Sequence, residues 1–545
     1  VEIKPLLWRA VLLSMALLTA LPILAVFGYV FVPAPEVWQH LRETVLSDYL
    51  LNTLWLVLGV GFGVLLLGLP AAWLNSMCQF PGQRFFEWAL LLPLAMPAYI
   101  IAYTYTGMLD FSGPVQSLLR ELTGWGYGDY YFPNVRSLGG AITMLSLVLF
   151  PYVYLLARAA FLEQSICVLE VSRTLGSNQW QSFFRVALPL ARPAIITGLS
   201  LALMETLADF GTVQYFGVTT FTTGIFRTWF GLGDHAAASQ LAALLMGFVF
   251  VLILLERWSR HKARYHHTSS KYSRLPRYPL RGSYAVAAVL VCALPLLLGF
   301  VIPVGQLLYW SVTTATNGLD ADFIKLVWNS IMLASLAALF ALLLALILGY
   351  GKRLSNDPLV NLTARIAAMG YAIPGTVIAI GVLIPFAWMD TQLNTISQQW
   401  RGSTIGLVLS GTLFTVLFAY NVRFLAVSLQ TVEAGLGKIK PTLDNAGRSL
   451  GLSAFGVLHR LHLPLMKGTL LTAILLVFVD VLKELPATLI LRPFNFNTLA
   501  VRAYELASDE RLADAGLPSL MIVVAGIIPV ILLSRSIGKS RAGEH

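Results

Sequence analysis

The chain has 545 residues, 57% of them hydrophobic and only 12% charged, with a mean hydropathy of +0.74. A soluble globular protein carries about 25% charged residues, so a water-soluble enzyme or binding module is excluded. The net charge of +10 would suit nucleic acid only if the cations formed one patch, and they do not.

Twelve apolar runs are long enough to cross a hydrocarbon layer of ~30 Å. They fall at roughly 10–32, 50–76, 87–109, 138–160, 190–213, 237–255, 283–310, 327–350, 361–388, 403–427, 466–491 and 516–534. The expected fold is therefore all-α and polytopic. Lys4 and Arg9 precede the first run, which continues to Val32 without a small-x-small cleavage site, so it reads as a retained span. Asn52-Thr53 opens the second run. Pro97 falls inside the third and is expected to kink it, with Tyr99 and Tyr103 four residues apart just beyond. After the fourth run comes Glu170-Val171-Ser172-Arg173-Thr174-Leu175-Gly176, then nine residues, then Val186-Ala187-Leu188-Pro189. The fifth run carries Glu205 and Asp209, four apart and hence on one helix face, before Gly211. The sixth ends at a basic stretch, 256–282, that reads as an exposed linker able to meet anionic lipid heads.

The second half then repeats the first. Asn329-Ser330 and Pro374 follow Asn52-Thr53 and Pro97 by 277 residues. Asn445-Ala446-Gly447-Arg448-Ser449-Leu450-Gly451, nine residues, and Leu461-His462-Leu463-Pro464 follow their counterparts by 275. So do Asp480, Glu484 and Pro486, which match Glu205, Asp209 and Gly211. The division is 1–256, a linker at 257–282, and 283–545, with loops of interest at 163–189 and 438–464. Six spans per half make the halves parallel.

Charge fixes the orientation. Of the 37 Lys and Arg, 27 fall on segments that face one side if the N-terminus is cytoplasmic, so both termini are expected inside. Cys78, Cys167 and Cys292 are an odd number and imply no disulfide framework.

In both loops apolar residues recur at helical spacing: Val168, Val171 and Leu175, then Ile439, Leu443, Ala446 and Leu450. That spacing predicts a short amphipathic helix with one face on protein, ended by Gly176 or Gly451 in a left-handed conformation. The glycine, the fixed gap and the hydrophobic-x-Leu-Pro ending resemble the EAA loop of ABC importer permeases. The resemblance implies a type I permease whose two loops are gripped by two copies of a separate ATPase. It assigns coupling to Glu170, Arg173, Gly176, Asn445, Arg448 and Gly451. The leading Glu-Ala-Ala is incomplete in both loops, and the second lacks its acid. No G-x-x-x-x-G-K-[ST] phosphate loop occurs, so no cofactor is expected on this chain and ATP with magnesium belongs to the partner subunits.

Ionisable groups inside a membrane cost at least ~2.5 kcal/mol each and mark paths or paired sites. Glu205, Asp209, Asp480 and Glu484 are expected to line a cation path and to ligate metal transiently, with Tyr99 and Tyr103 beside them. Alternatively, Lys483 neutralises one of the acids. The stretches Glu205-Thr206-Leu207-Ala208-Asp209-Phe210-Gly211 and Lys483-Glu484-Leu485-Pro486-Ala487-Thr488 resemble ferric iron importer permeases. That resemblance implies a bacterial inner-membrane protein receiving Fe(III) from a periplasmic binding protein. Thiamine or aminoethylphosphonate as cargo, and a twelve-span proton-coupled secondary transporter, remain alternatives.

Overall fold

The computed structural model describes residues 5–126, 128–163, 183–261, 278–318, 320–355 and 357–539. Helix follows helix because the apolar runs can satisfy their backbone groups in lipid only within themselves. The first part contains α1 (Pro5–Tyr29), α2 (Pro35–Thr44), α3 (Leu46–Met77), α4 (Gln83–Ala89), α5 (Ala98–Leu109), α6 (Pro114–Thr123) and α7 (Leu138–Glu163). Next come α8 (Leu188–Ala208), α9 (Gly211–Tyr215), α10 (Phe221–Phe226), α11 (His235–His261), α12 (Ser283–Leu296) and α13 (Ile302–Gly318). The rest comprises α14 (Ala321–Leu354), α15 (Pro358–Ala367), α16 (Gly375–Arg401), α17 (Leu413–Gly437), α18 (Pro441–Ser449), α19 (Ala454–Val457), α20 (Leu463–Leu482), α21 (Pro486–Leu491), α22 (Leu499–Ser508) and α23 (Gly516–Lys539). Among the described residues the only sheet is a two-residue parallel pairing of Cys78–Gln79 with Tyr278–Pro279.

The protein is an all-α polytopic membrane protein. Among the described residues ten helices are long and apolar enough to span. A bent pair, Gln83–Ala95 with Ala98–Thr123, turned by 91°, is long and apolar enough only when its two helices are taken together. The twelfth apolar run appears as the shorter Gly516–Ile531.

The third and ninth runs differ from expectation, because their prolines interrupt the helix rather than kink it. A 3₁₀ turn, Leu92–Ala95, precedes Pro97, and another, Ala368–Ala372, precedes Pro374. Met96 and Ile373, the residues before each proline, are extended at φ −92°, ψ 113° and φ −92°, ψ 130°. Proline disfavours the helical conformation in its predecessor, so the chain turns there before α5 and α16 begin.

Packing divides the chain into two compact units that draw on both sequence halves. The first comprises 1–41, 224–246 and 317–503. Within it α1 lies on α15 and α16, and α14 on α17 and α20. Their shared core contains Leu12, Leu348, Val360, Ala364, Leu425 and Met466. The second unit comprises 42–223, 247–316 and 504–545. There α7 packs on α3 and α8. The α3–α7 contact is close: a Cβ on Gly68 would stand 2.8 Å from the Phe150 carbonyl oxygen. In lipid such small-residue contacts supply the packing that water would otherwise drive.

Candidate functional site

Of the two repeated loops, the first lies outside the described residues at Glu170, Arg173 and Gly176. The second is fully described. Pro441 sits at the first turn of α18, where its missing N–H costs nothing. The helix stops at Gly451, whose φ of +82° is the left-handed end expected from the sequence. The Gly451 N–H donates to the Arg448 carbonyl at 2.9 Å, and the Leu452 N–H to the Gly447 carbonyl at 3.1 Å. That pair of bonds is a Schellman end. Ser453 then accepts from the Gly456 N–H and starts the next helix, so the loop is helix, turn, helix.

The orientation of α18 departs from the expected one. Gly447 is its buried residue, with the Asp444 side chain largely buried beside it. The apolar stripe expected to lie on protein points away: Leu443, Ala446 and Leu450 are exposed, Leu450 at 83%, while only Ile439 is buried. Asn445 and Arg448 are exposed beside the stripe. A polar face turned inward is stable only when its charges are met, and here Asp444 is hydrogen-bonded twice by side chains of this chain.

The membrane carboxylates lie at helix breaks. In the second unit α8 ends at Ala208, so Glu205 is on the helix while Asp209 is its extended C-terminal cap. Asp209 therefore does not continue the helical face it shares with Glu205 in sequence. Its Oδ2 accepts from the Thr212 hydroxyl at 2.9 Å and its Oδ1 from the Val213 N–H at 3.2 Å. Among the described residues Glu205 has no ion-pair or hydrogen-bond partner, and it is half-buried.

In the first unit α20 ends at Leu482, Glu484 falls in the break, and α21 begins at Pro486. Arg423 of α17 donates through Nη1 to Glu484 Oε1 at 2.9 Å, and the Ala487 N–H donates to the same oxygen at 3.1 Å. Lys483 pairs with Asp480 at 2.9 Å, so the neutralising lysine belongs to Asp480. Arg423 is the partner that sequence reasoning does not find. Position 423 is buried in a helix, and an arginine in an apolar helix signals a carboxylate nearby.

Tyr99 and Tyr103 are both buried in α5. Tyr103 hydrogen-bonds Ser519 and meets Tyr215 edge-on at 6.2 Å, which makes it a packing residue of the second unit. Also in this unit, Arg136 ties polar segments together. It pairs with Glu510 at 2.8 Å, lies 3.7 Å from Asp110, and stands over the Tyr215 ring at 5.0 Å. Among the described residues no group of three His, Cys, Asp or Glu is arranged to hold a metal.

Residues 3–265 match the family of binding-protein-dependent transport system inner membrane components. The chain is the permease subunit of an ABC importer. Across 542 residues it is 27% identical to the Fe(3+)-transport system permease protein FbpB 2 of Haemophilus influenzae, covering 98% of this chain and 99% of that one. It is 23% identical over 468 residues to the ferric transport system permease protein FbpB of Actinobacillus pleuropneumoniae, covering 82% of this chain and 64% of that one. The molybdenum transport system permease protein ModB of Escherichia coli K12 is 26% identical over 230 residues, 41% of this chain and 93% of the relative. The permease is a multi-pass inner-membrane protein and not itself an enzyme; ATP hydrolysis belongs to a separate subunit.

Proposed function

We propose that this permease carries Fe(III) into the cytoplasm, driven by two copies of an ABC ATPase, one on each repeated loop, with both chain termini on the cytoplasmic side. A periplasmic binding protein delivers the iron. The observation that carries the ATPase reading is the outward stripe of Leu443, Ala446 and Leu450 on a helix whose opposite face is pinned by Asp444. A contiguous apolar stripe exposed on a loop between spans marks an interaction site. The iron reading is supported by relatives whose names carry ferric transport along almost the whole chain.

The four carboxylates are unequal in this reading. Asp480 and Glu484 are met by Lys483 and Arg423, and Asp209 is held by Thr212 and Val213. Glu205 is the group with charge to offer a passing hard cation, which takes oxygen ligands. ATP binding would bring the two ATPase copies together, move both loops and open the path outward. Hydrolysis would reset it.

The test is uptake of radiolabelled iron into proteoliposomes holding permease, ATPase and binding protein. Uptake is expected only with all three and ATP, and Glu205→Gln is expected to lower it while ATP hydrolysis continues. Uphill uptake without the ATPase would refute the reading, and uptake of molybdate in place of iron would refute its cargo.

A further inference from the structure

The inner end of α14 carries the cluster that pins α18. Arg353 Nε donates to Asp444 Oδ2 at 2.8 Å, its Nη2 donates to the Ile439 carbonyl at 2.9 Å, and its Nη1 donates to the Leu436 carbonyl. The other oxygen of Asp444, Oδ1, is shared with His462 Nε2 at 2.6 Å. One turn before Arg353, Tyr350 donates to the Ala454 carbonyl at 2.6 Å and meets the His462 ring edge-on at 5.5 Å. One helix end is thus hydrogen-bonded to the end of α17, to α18 and to the start of α19, and meets the turn before α20 by ring contact. His462 is fully buried, and Arg353 and Asp444 are largely so. Burial alone would raise the Asp444 carboxyl, but hydrogen bonds and charge from Arg353 and His462 outweigh it and hold the group below its ordinary value.

The matching place in the other half of the sequence is built differently. The counterparts of Tyr350, Arg353 and His462 are Trp73, Ser76 and Ala187. Trp73 packs on Phe161 at 5.3 Å and on Phe183 at 4.6 Å, while the Ser76 hydroxyl donates to the Ala72 carbonyl of its own helix. None of the three counterparts carries a charge. Apolar surfaces slide past one another by small steps, whereas a guanidinium fork shared by a carboxylate and two carbonyls fixes one geometry. A buried pair of this kind resists opening because separation leaves charge unmet.

We infer that Arg353, Asp444 and His462 form an ionic joint that makes α18 move as one piece with α14, so that the second loop transmits its push through ions. These are positioning residues for transport: they touch neither cargo nor nucleotide. The inference rests on the reading of α18 as the helix that an ATPase drives.

The experiment uses the complete importer in proteoliposomes and measures cargo moved per ATP hydrolysed, for wild type, Arg353→Gln, Asp444→Asn and the double variant. Each single variant is expected to keep the ATPase bound and hydrolysing but to lose about tenfold or more in cargo per ATP, the scale of one charge-assisted hydrogen bond. The double variant is expected to be no worse than either single one, because both cut the same joint. Arg353→Lys, which keeps the charge but cannot span the carboxylate and both carbonyls, is expected to recover part of the loss. A wild-type ratio in the single variants, losses that multiply in the double, or losses that only follow the amount of assembled complex would each overturn the joint. Failure of the wild-type importer to couple uptake to ATP would instead bring down the functional reading and the joint with it.

Discussion

Asp209 and Glu484 stand 275 residues apart at the same step of the repeat, each in a helix break, yet their charges are met in different ways. Asp209 is served by a threonine hydroxyl and a backbone N–H of the short helix that follows it. Glu484 keeps the backbone partner and adds a full counter-charge, Arg423, brought in from another helix. The repeat therefore preserves where a carboxylate sits but not what neutralises it.

The sharpest way to break this comparison is Arg423→Gln. It leaves Glu484 buried without its ion, and about 3–5 kcal/mol of destabilisation is expected, read as a fall in the unfolding temperature of the permease in detergent. Arg423→Met with Glu484→Gln removes both charges and is expected to recover most of that loss; equal loss in single and double variants would mean the pair is not coupled. Gly375→Ala comes next. A Cβ there would stand 2.4 Å from Arg423 Nη1 and 2.5 Å from Glu484 Oε1, so a cost of about 1–3 kcal/mol is expected. The counterpart, Ala98, already carries that methyl, and Ala98→Gly is expected to change stability less. Asp209→Asn is milder still, about 1 kcal/mol, since the amide oxygen can accept one of the two bonds.

The smallest effect concerns pH and the loop. Asp444 has a folded-state carboxyl below its ordinary value of 3.8. Its contribution is therefore complete above that ordinary value and lost as pH falls through the lower, folded one. Melting curves of wild type and Asp444→Asn are expected to differ by a constant amount near neutrality and to converge in acid below about pH 4. Convergence at higher pH would show that Asp444 is not held by Arg353 and His462.

Much of the architecture was legible because membrane helices must be continuous apolar runs, and all twelve expected runs have counterparts among the described helices. The breaks were harder. Pro97 and Pro374 marked them, but only the neighbouring 3₁₀ turns show that the helices stop there. The repeat arithmetic located Glu205, Asp209, Asp480, Glu484 and Gly451. It could not show that Asp209 and Glu484 leave their helices, nor that Arg423, 61 residues earlier, is the counter-ion of Glu484. Periodicity found the stripe of α18 but not its direction, because a spacing of three and four describes a face without saying what covers it. The pairing of Asp444 with His462 was not legible: His462 reads only as the variable position of the Leu-Pro ending and Asp444 as an ordinary loop residue until the helix turn between them brings the side chains together.

In the proposed importer Leu443, Ala446 and Leu450 are where a motor subunit engages the second half of this permease. Native mass spectrometry of the purified importer counts the ATPase subunits that remain bound. Two per wild-type permease are expected, and fewer when Leu450→Asp places a charge in the middle of the outward stripe. Full retention of both subunits by that variant would contradict the account.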